Sequence, residues 1–121
     1  MSKVLTAADI LAADDLETVT VECPEWGGDV VVKSMTGTER DAFETSLAKK
    51  GKGGKMESDT VNMRARMVAA TAVDDKGAPL FTAAQVADLG KKNAKVLDRL
   101  FDVASKLNGM FDGDVEAAKK D

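Results

Sequence analysis

A chain of 121 residues with a net charge of −4 has room for one domain and a single modest core. The acidic balance argues against a general phosphate-binding surface, so nucleic acid is not an expected partner. With no His and a lone Cys23, neither a Ser–His nor a Cys–His catalytic pair nor a tetrahedral zinc site can be assembled.

Aromatic residues are scarce, at four Phe, one Trp and no Tyr, so Ala, Val, Leu and Met must fill most of the core. The single thiol suits a reducing compartment. The start "MSKVLTAADI" lacks the apolar stretch of a signal peptide, and no run approaches membrane-spanning length. These features predict a soluble intracellular protein with no membrane partner.

Thr6 is placed to N-cap a short amphipathic helix, "AADILAA", with Asp9 in its first turn. From Thr18 the period changes to two: Val19, Val21 and Cys23 alternate with polar residues, the pattern of a half-buried strand. Val30 to Val32 form the return strand, and "PEWGG" supplies the turn. A four-residue loop, Pro24 to Gly27, sets Val21 opposite Val30 and Val19 opposite Val32, matching apolar with apolar.

Thr36 and Glu39 in "TGTE" form a capping box, opening a helix whose Phe43 and Leu47 face the core. That helix runs out in "KKGKGGK", Lys49 to Lys55, whose four lysines and three glycines predict a mobile loop over residues 49–57. A second helix is expected from Ser58 or Asp59 to about Val73, with Val61, Ala65, Val68 and Ala72 at helical spacing and Met63 and Met67 widening the stripe. "DDKG" is a turn, and Pro79 makes "APLF" extended. Thr82 caps a short helix that Gly90 ends as a left-handed residue. The longest helix spans Lys92 to Asn108, with Leu97, Leu100, Phe101, Ala104 and Leu107 on one face, and Gly109 stops it. The fold class is therefore α+β: an N-terminal β-hairpin followed by a small bundle of about four helices. One domain spans residues 1–111, and a polar, flexible tail spans 112–121.

No constellation of chemistry emerges, so no enzyme activity, metal or cofactor is expected. Asp14–Asp15 and Asp74–Asp75 lie in polar linkers, and Asp112, Asp114 and Glu116 lack the Gly and terminal Glu of a calcium loop. "GKGGK" fails as a phosphate loop on spacing and on the missing Ser or Thr. The two helices between Thr82 and Leu107 have the outline of a helix-turn-helix, with Lys91, Lys92, Lys95 and Arg99 opening the second. Asp98 and Asp102 on the same surface weigh against a small DNA-binding regulator, which stands as the alternative reading. What remains is apolar surface for a protein partner: Trp26 at the hairpin tip, with Met63, Met67, Met110 and Phe111 along a Met-rich stripe suited to a partner helix.

Two segments taken together carry a resemblance: "VTVECPEWGGDVVVKSMTGTERDAF" (Val19 to Phe43) and "ATAVDDKGAPLFTAAQVADLGKKNAKVLDRLFDVASKLNG" (Ala70 to Gly109). In order and spacing they resemble the small tail assembly chaperones of long-tailed bacteriophages, over about residues 16–120. None of the shared motifs is catalytic. The resemblance implies a non-structural protein of the host bacterial cytoplasm, absent from the mature virion, that binds the tail tape measure protein and keeps it soluble until tail tube subunits polymerise around it. Weak self-association is compatible with that role. It further implies that a programmed ribosomal frameshift near the end of the reading frame can add an extension that recruits the tail tube protein. Lys119 and Lys120, whose codons can form a run of adenines, are where such a slip would fall.

Overall fold

The computed structural model describes residues 3–110. The expected polar tail at 112–121, together with Phe111, lies outside them. Helix α1, Ala7–Ala12, opens on a Thr6–Asp9 capping box and buries none of its residues. Strands β1, Thr18–Cys23, and β2, Gly28–Lys33, pair antiparallel with Val19 opposite Val32 and Val21 opposite Val30. This is the register that apolar matching requires, and a single 3₁₀ turn over Pro24–Trp26 closes the loop through a left-handed Gly27.

Helix α2, Gly37–Ser46, begins at Thr36, whose hydroxyl accepts the Glu39 N–H while the Glu39 carboxylate accepts the Thr36 N–H at 2.9 Å. Phe43 is buried beneath it. The Lys/Gly segment, expected as a loop over 49–57, is instead a short hairpin: β3, Ala48–Lys50, pairs with β4, Met56–Ser58. No residue of the hairpin's strands is buried. Its order is in the backbone, where Gly53 and Gly54 supply two consecutive left-handed residues, at φ 73° and 77°, that other side chains resist. Lysines along an exposed edge also suit a strand that must not pair with strangers.

Helix α3 is shorter than its stripe suggested, Met63–Thr71, because both ends are claimed by other partners. At its start the Arg66 guanidinium donates to the backbone carbonyls of Ser46 and Asp59, each at 2.8 Å, and pairs with the Asp59 carboxylate at 3.1 Å. That ion pair holds the Asp59 carboxyl below its ordinary pKa. Val61, placed on the stripe by spacing, lies before the helix and is exposed. At the far end, Ala72–Val73 leave the helix as β5 and pair with Val32 and Val31, giving a three-stranded sheet in the order β1-β2-β5. The Asp74 carboxylate then folds the "DDKG" turn by accepting the N–H groups of Lys76 and Ala78.

After a 3₁₀ turn at Ala83–Gln85 come α4, Val86–Leu89, and α5, Ala94–Leu107. Gly90 is right-handed, at φ −63°, and not the left-handed stop expected of it; that conformation belongs to Gly109, at φ 64°. A Cβ at Gly90 would stand 2.5 Å from Asn62 Oδ1, so that side chain would have to swing aside to admit one. The core lies where α5 crosses the sheet and packs on α3, around Val32, Met67, Val68, Val96, Leu97, Leu100 and Ala104.

Asn108 ties the end of α5 back to the start of α2. Its Oδ1 accepts the Met35 N–H at 2.6 Å, its Nδ2 donates to the Ala104 carbonyl at 2.9 Å, and its own carbonyl accepts from Arg40. Asn108→Ala leaves a part-buried N–H without its partner and is expected to cost about 1–3 kcal/mol, read as a lowered urea midpoint at unchanged slope.

Candidate partner-binding site

The residues singled out from sequence for a partner do not meet on one surface. Met67 is fully buried and Met110 is 4% exposed, so both belong to the core. Met63 is half-buried and packs against that core. Phe111 lies outside the described residues. Trp26 alone stands at the surface, 36% exposed at the tip of the β1–β2 hairpin. A Met stripe marks an apolar helix face, but the sequence does not say which neighbour covers it, and here α5 covers it.

The hairpin tip is held by charge. Arg99 on α5 donates to both carboxylate oxygens of Glu25, at 2.8 and 2.7 Å, and to the Glu22 carbonyl at 3.2 Å. These hydrogen bonds draw the Glu25 pKa down from 4.5 to about 2. Nearby Cys23 is fully buried, and burial pushes its thiol upward against the pull of Arg99. Because the folded Glu25 is the stronger acid, its contribution to stability is complete above about pH 4.5 and is lost as pH falls toward 2. Glu25→Gln is therefore expected to lower the melting temperature at neutral pH, with the gap from the parent protein closing between pH 4.5 and 2 in paired thermal melts.

An opening lies beside β5 and the end of β2, lined by Lys33, Ala72 and Val73 among others. This apolar groove of about 550 Å³ is walled by Phe43 of α2, Ala70 of α3, Val73 of β5, Phe81 and Ala83 of the segment leading into α4, and Val86 of α4 itself. Small side chains line much of it, which leaves room for bulky ones from outside. Its polar rim is already satisfied: Lys33 Nζ donates to both oxygens of Glu39 at 2.6 Å. Burial works against the Glu39 charge, but Lys33 and the Thr36 N–H outweigh it and hold the pKa below the usual carboxylate range. A groove with apolar walls and a paired charge at its edge is built to take an apolar surface.

Among the described residues no three His, Cys, Asp or Glu side chains cluster as a metal would require. No helix is long and apolar enough to cross a membrane. Of the four cations that open the helix-turn-helix outline, Arg99 is spent on Glu25 and on the Glu22 carbonyl.

A family profile described as phage tail assembly chaperone matches residues 7–120. Among solved structures, the bacteriophage HK97 tail assembly chaperone has the same fold, with a TM-score of 0.57 at 18% identity over 83% of this chain and 90% of that one. No curated protein matches the sequence.

Proposed function

Because this chain belongs to the phage tail assembly chaperone family, we propose that it binds a tail tape measure protein and keeps it soluble while tube subunits assemble around it. A tape measure helix without its tube exposes a long apolar stripe, and such a stripe needs an adaptable apolar cover. The observation that carries the reading is the groove between α2, β5 and α4, apolar along its walls and open to solvent. Trp26, exposed at the opposite end of the sheet, is a second contact, anchored by the Glu25–Arg99 pair. In this reading the protein works in the host cytoplasm without enzyme activity and stays out of the finished virion.

Residues 1–111 then act as one domain and 112–121 as a tether. A frame change near Lys119–Lys120 would extend the tether into a part that recruits the tail tube protein. The coding DNA tests that clause: lysine codons without a slippery run of adenines would leave a single-length chaperone.

Co-expression tests the main reading. A tail tape measure protein is expected in the soluble fraction only when this chain is co-expressed with it. An equal soluble yield with and without it would defeat the proposal.

A further inference from the structure

Five of the ten large apolar side chains that stand exposed among the described residues lie in one short N-terminal arm: Val4, Leu5, Ile10, Leu11 and Leu16. Val4 is 95% and Leu11 85% exposed, so nothing among the described residues covers them. Yet α1 is locally well specified. Thr6 and Asp9 satisfy each other's backbone donors at 3.2 and 3.0 Å, and Leu5 and Ile10 hold the positions of a hydrophobic staple across the cap. A six-residue helix is too short to be stable from its own hydrogen bonds, so its order is expected to draw on a surface it meets.

The root of the arm lies against the end of β2, next to the groove-lining Lys33, while Asp15 and Leu16 themselves line a separate opening with Met35, Leu107 and Asn108. Glu17 and Ser34 exchange two hydrogen bonds, Glu17 N–H to Ser34 Oγ at 2.9 Å and Ser34 N–H to the Glu17 carbonyl at 2.8 Å. The next residue, Thr18, is the register partner of Lys33, whose side chain lines the groove. The five residues from Ala13 to Glu17 span up to roughly 17 Å when extended. That is enough to swing α1 across a helix seated in the groove, about 10 Å wide with its side chains. The arm is also acidic: residues 3–17 hold one Lys against three Asp and one Glu, a net −3. Asp14 and Asp15 make no ion pair among the described residues.

We propose that this arm is the second wall of the partner site, a hinged flap that closes over an amphipathic helix lying in the groove and selects one with Lys or Arg beside its apolar stripe. The inference rests on the groove being the partner site, and adds to it a moving wall and a charge preference. Ile10, Leu11 and Leu5 cover the partner's apolar stripe from above, while Asp14, Asp15 and Glu17 meet its flanking cations.

Two synthetic peptides of about five helical turns test it, both with Leu along one face, one with Lys beside the stripe and one with Glu. The full-length protein is expected to bind the Lys peptide at least about tenfold more tightly than the Glu peptide, with the difference shrinking as salt rises from about 0.05 to 0.5 M. The double variant Ile10→Ser, Leu11→Ser is expected to bind the Lys peptide about tenfold or more weakly. Its circular dichroism and melting should match the parent, since α1 buries nothing in the free protein. If that variant binds as tightly as the parent, or more tightly, the arm is no wall of the site. The groove assignment would survive that result provided Ala83→Arg, which obstructs the groove alone, loses binding. Equal affinity for the two peptides overturns the charge preference, and failure of the parent to bind either peptide overturns arm and groove together.

Discussion

Replacing Leu100 with Ala is expected to remove about 2–5 kcal/mol of stability, the largest loss from any single truncation in the protein. Leu100 is fully buried at the centre of α5, where that helix meets both the sheet and α3. Val32, Met67 and Val68 of the same core cluster belong to two different elements, β2 and α3, that cannot collapse together into the void. A domain of this size has a total stability of roughly 5–15 kcal/mol, so the variant should be partly unfolded at growth temperature. Phe101, next along the helix and only partly buried, should tolerate truncation better. Urea titration of both variants checks the order, and a Phe101→Ala loss larger than that of Leu100→Ala would show the core to be centred elsewhere.

The second large effect belongs to the groove. Ala83→Arg sets a long cationic side chain where the walls are apolar, and because Ala83 is exposed the substitution removes nothing from the core. Tape measure binding should fall by about 30-fold or more, the scale of losing one hot-spot contact of about 2 kcal/mol. In co-expression the partner should return to the insoluble fraction while the variant itself stays folded. Trp26→Ala should weaken the same interaction by less, because its contact is separate from the groove. Normal partner solubility with Ala83→Arg would exclude the groove as the contact surface.

Local chemistry accounts for the parts of the fold that were readable in advance. The β1–β2 register follows from two short apolar alternations and a loop whose length is fixed by Pro24 and Gly27. The start of α2 follows from Thr36 and Glu39 alone. The α+β class follows from the change of period at Thr18 and again at Thr36. What the sequence concealed was decided by distant partners. Ala72 and Val73 continue the helical spacing of α3, and only the free edge of β2 draws them into the sheet. The β3–β4 hairpin is held by backbone pairing that leaves no apolar signature. The groove is assembled from α2, α3, β5 and the segment before α4, each contributing two to four side chains, so no single window of the sequence contains it. Met67 and Met110 show the reverse error, since an apolar residue at helical spacing is equally suited to a core and to an interface.

The bonds that fasten the N-terminal hairpin to the last helix have a kinetic consequence. Glu25 and Arg99 are 74 residues apart, and Met35 and Asn108 are 73 apart, so both clasps close long loops. During synthesis the β1–β2 pair can form early, but its buried face has no cover until α5 has cleared the ribosome. Folding of the body thus waits on the synthesis of α5, and a nascent chain cut short before Ala94 would present Val21, Cys23 and Val32 as an open, sticky sheet.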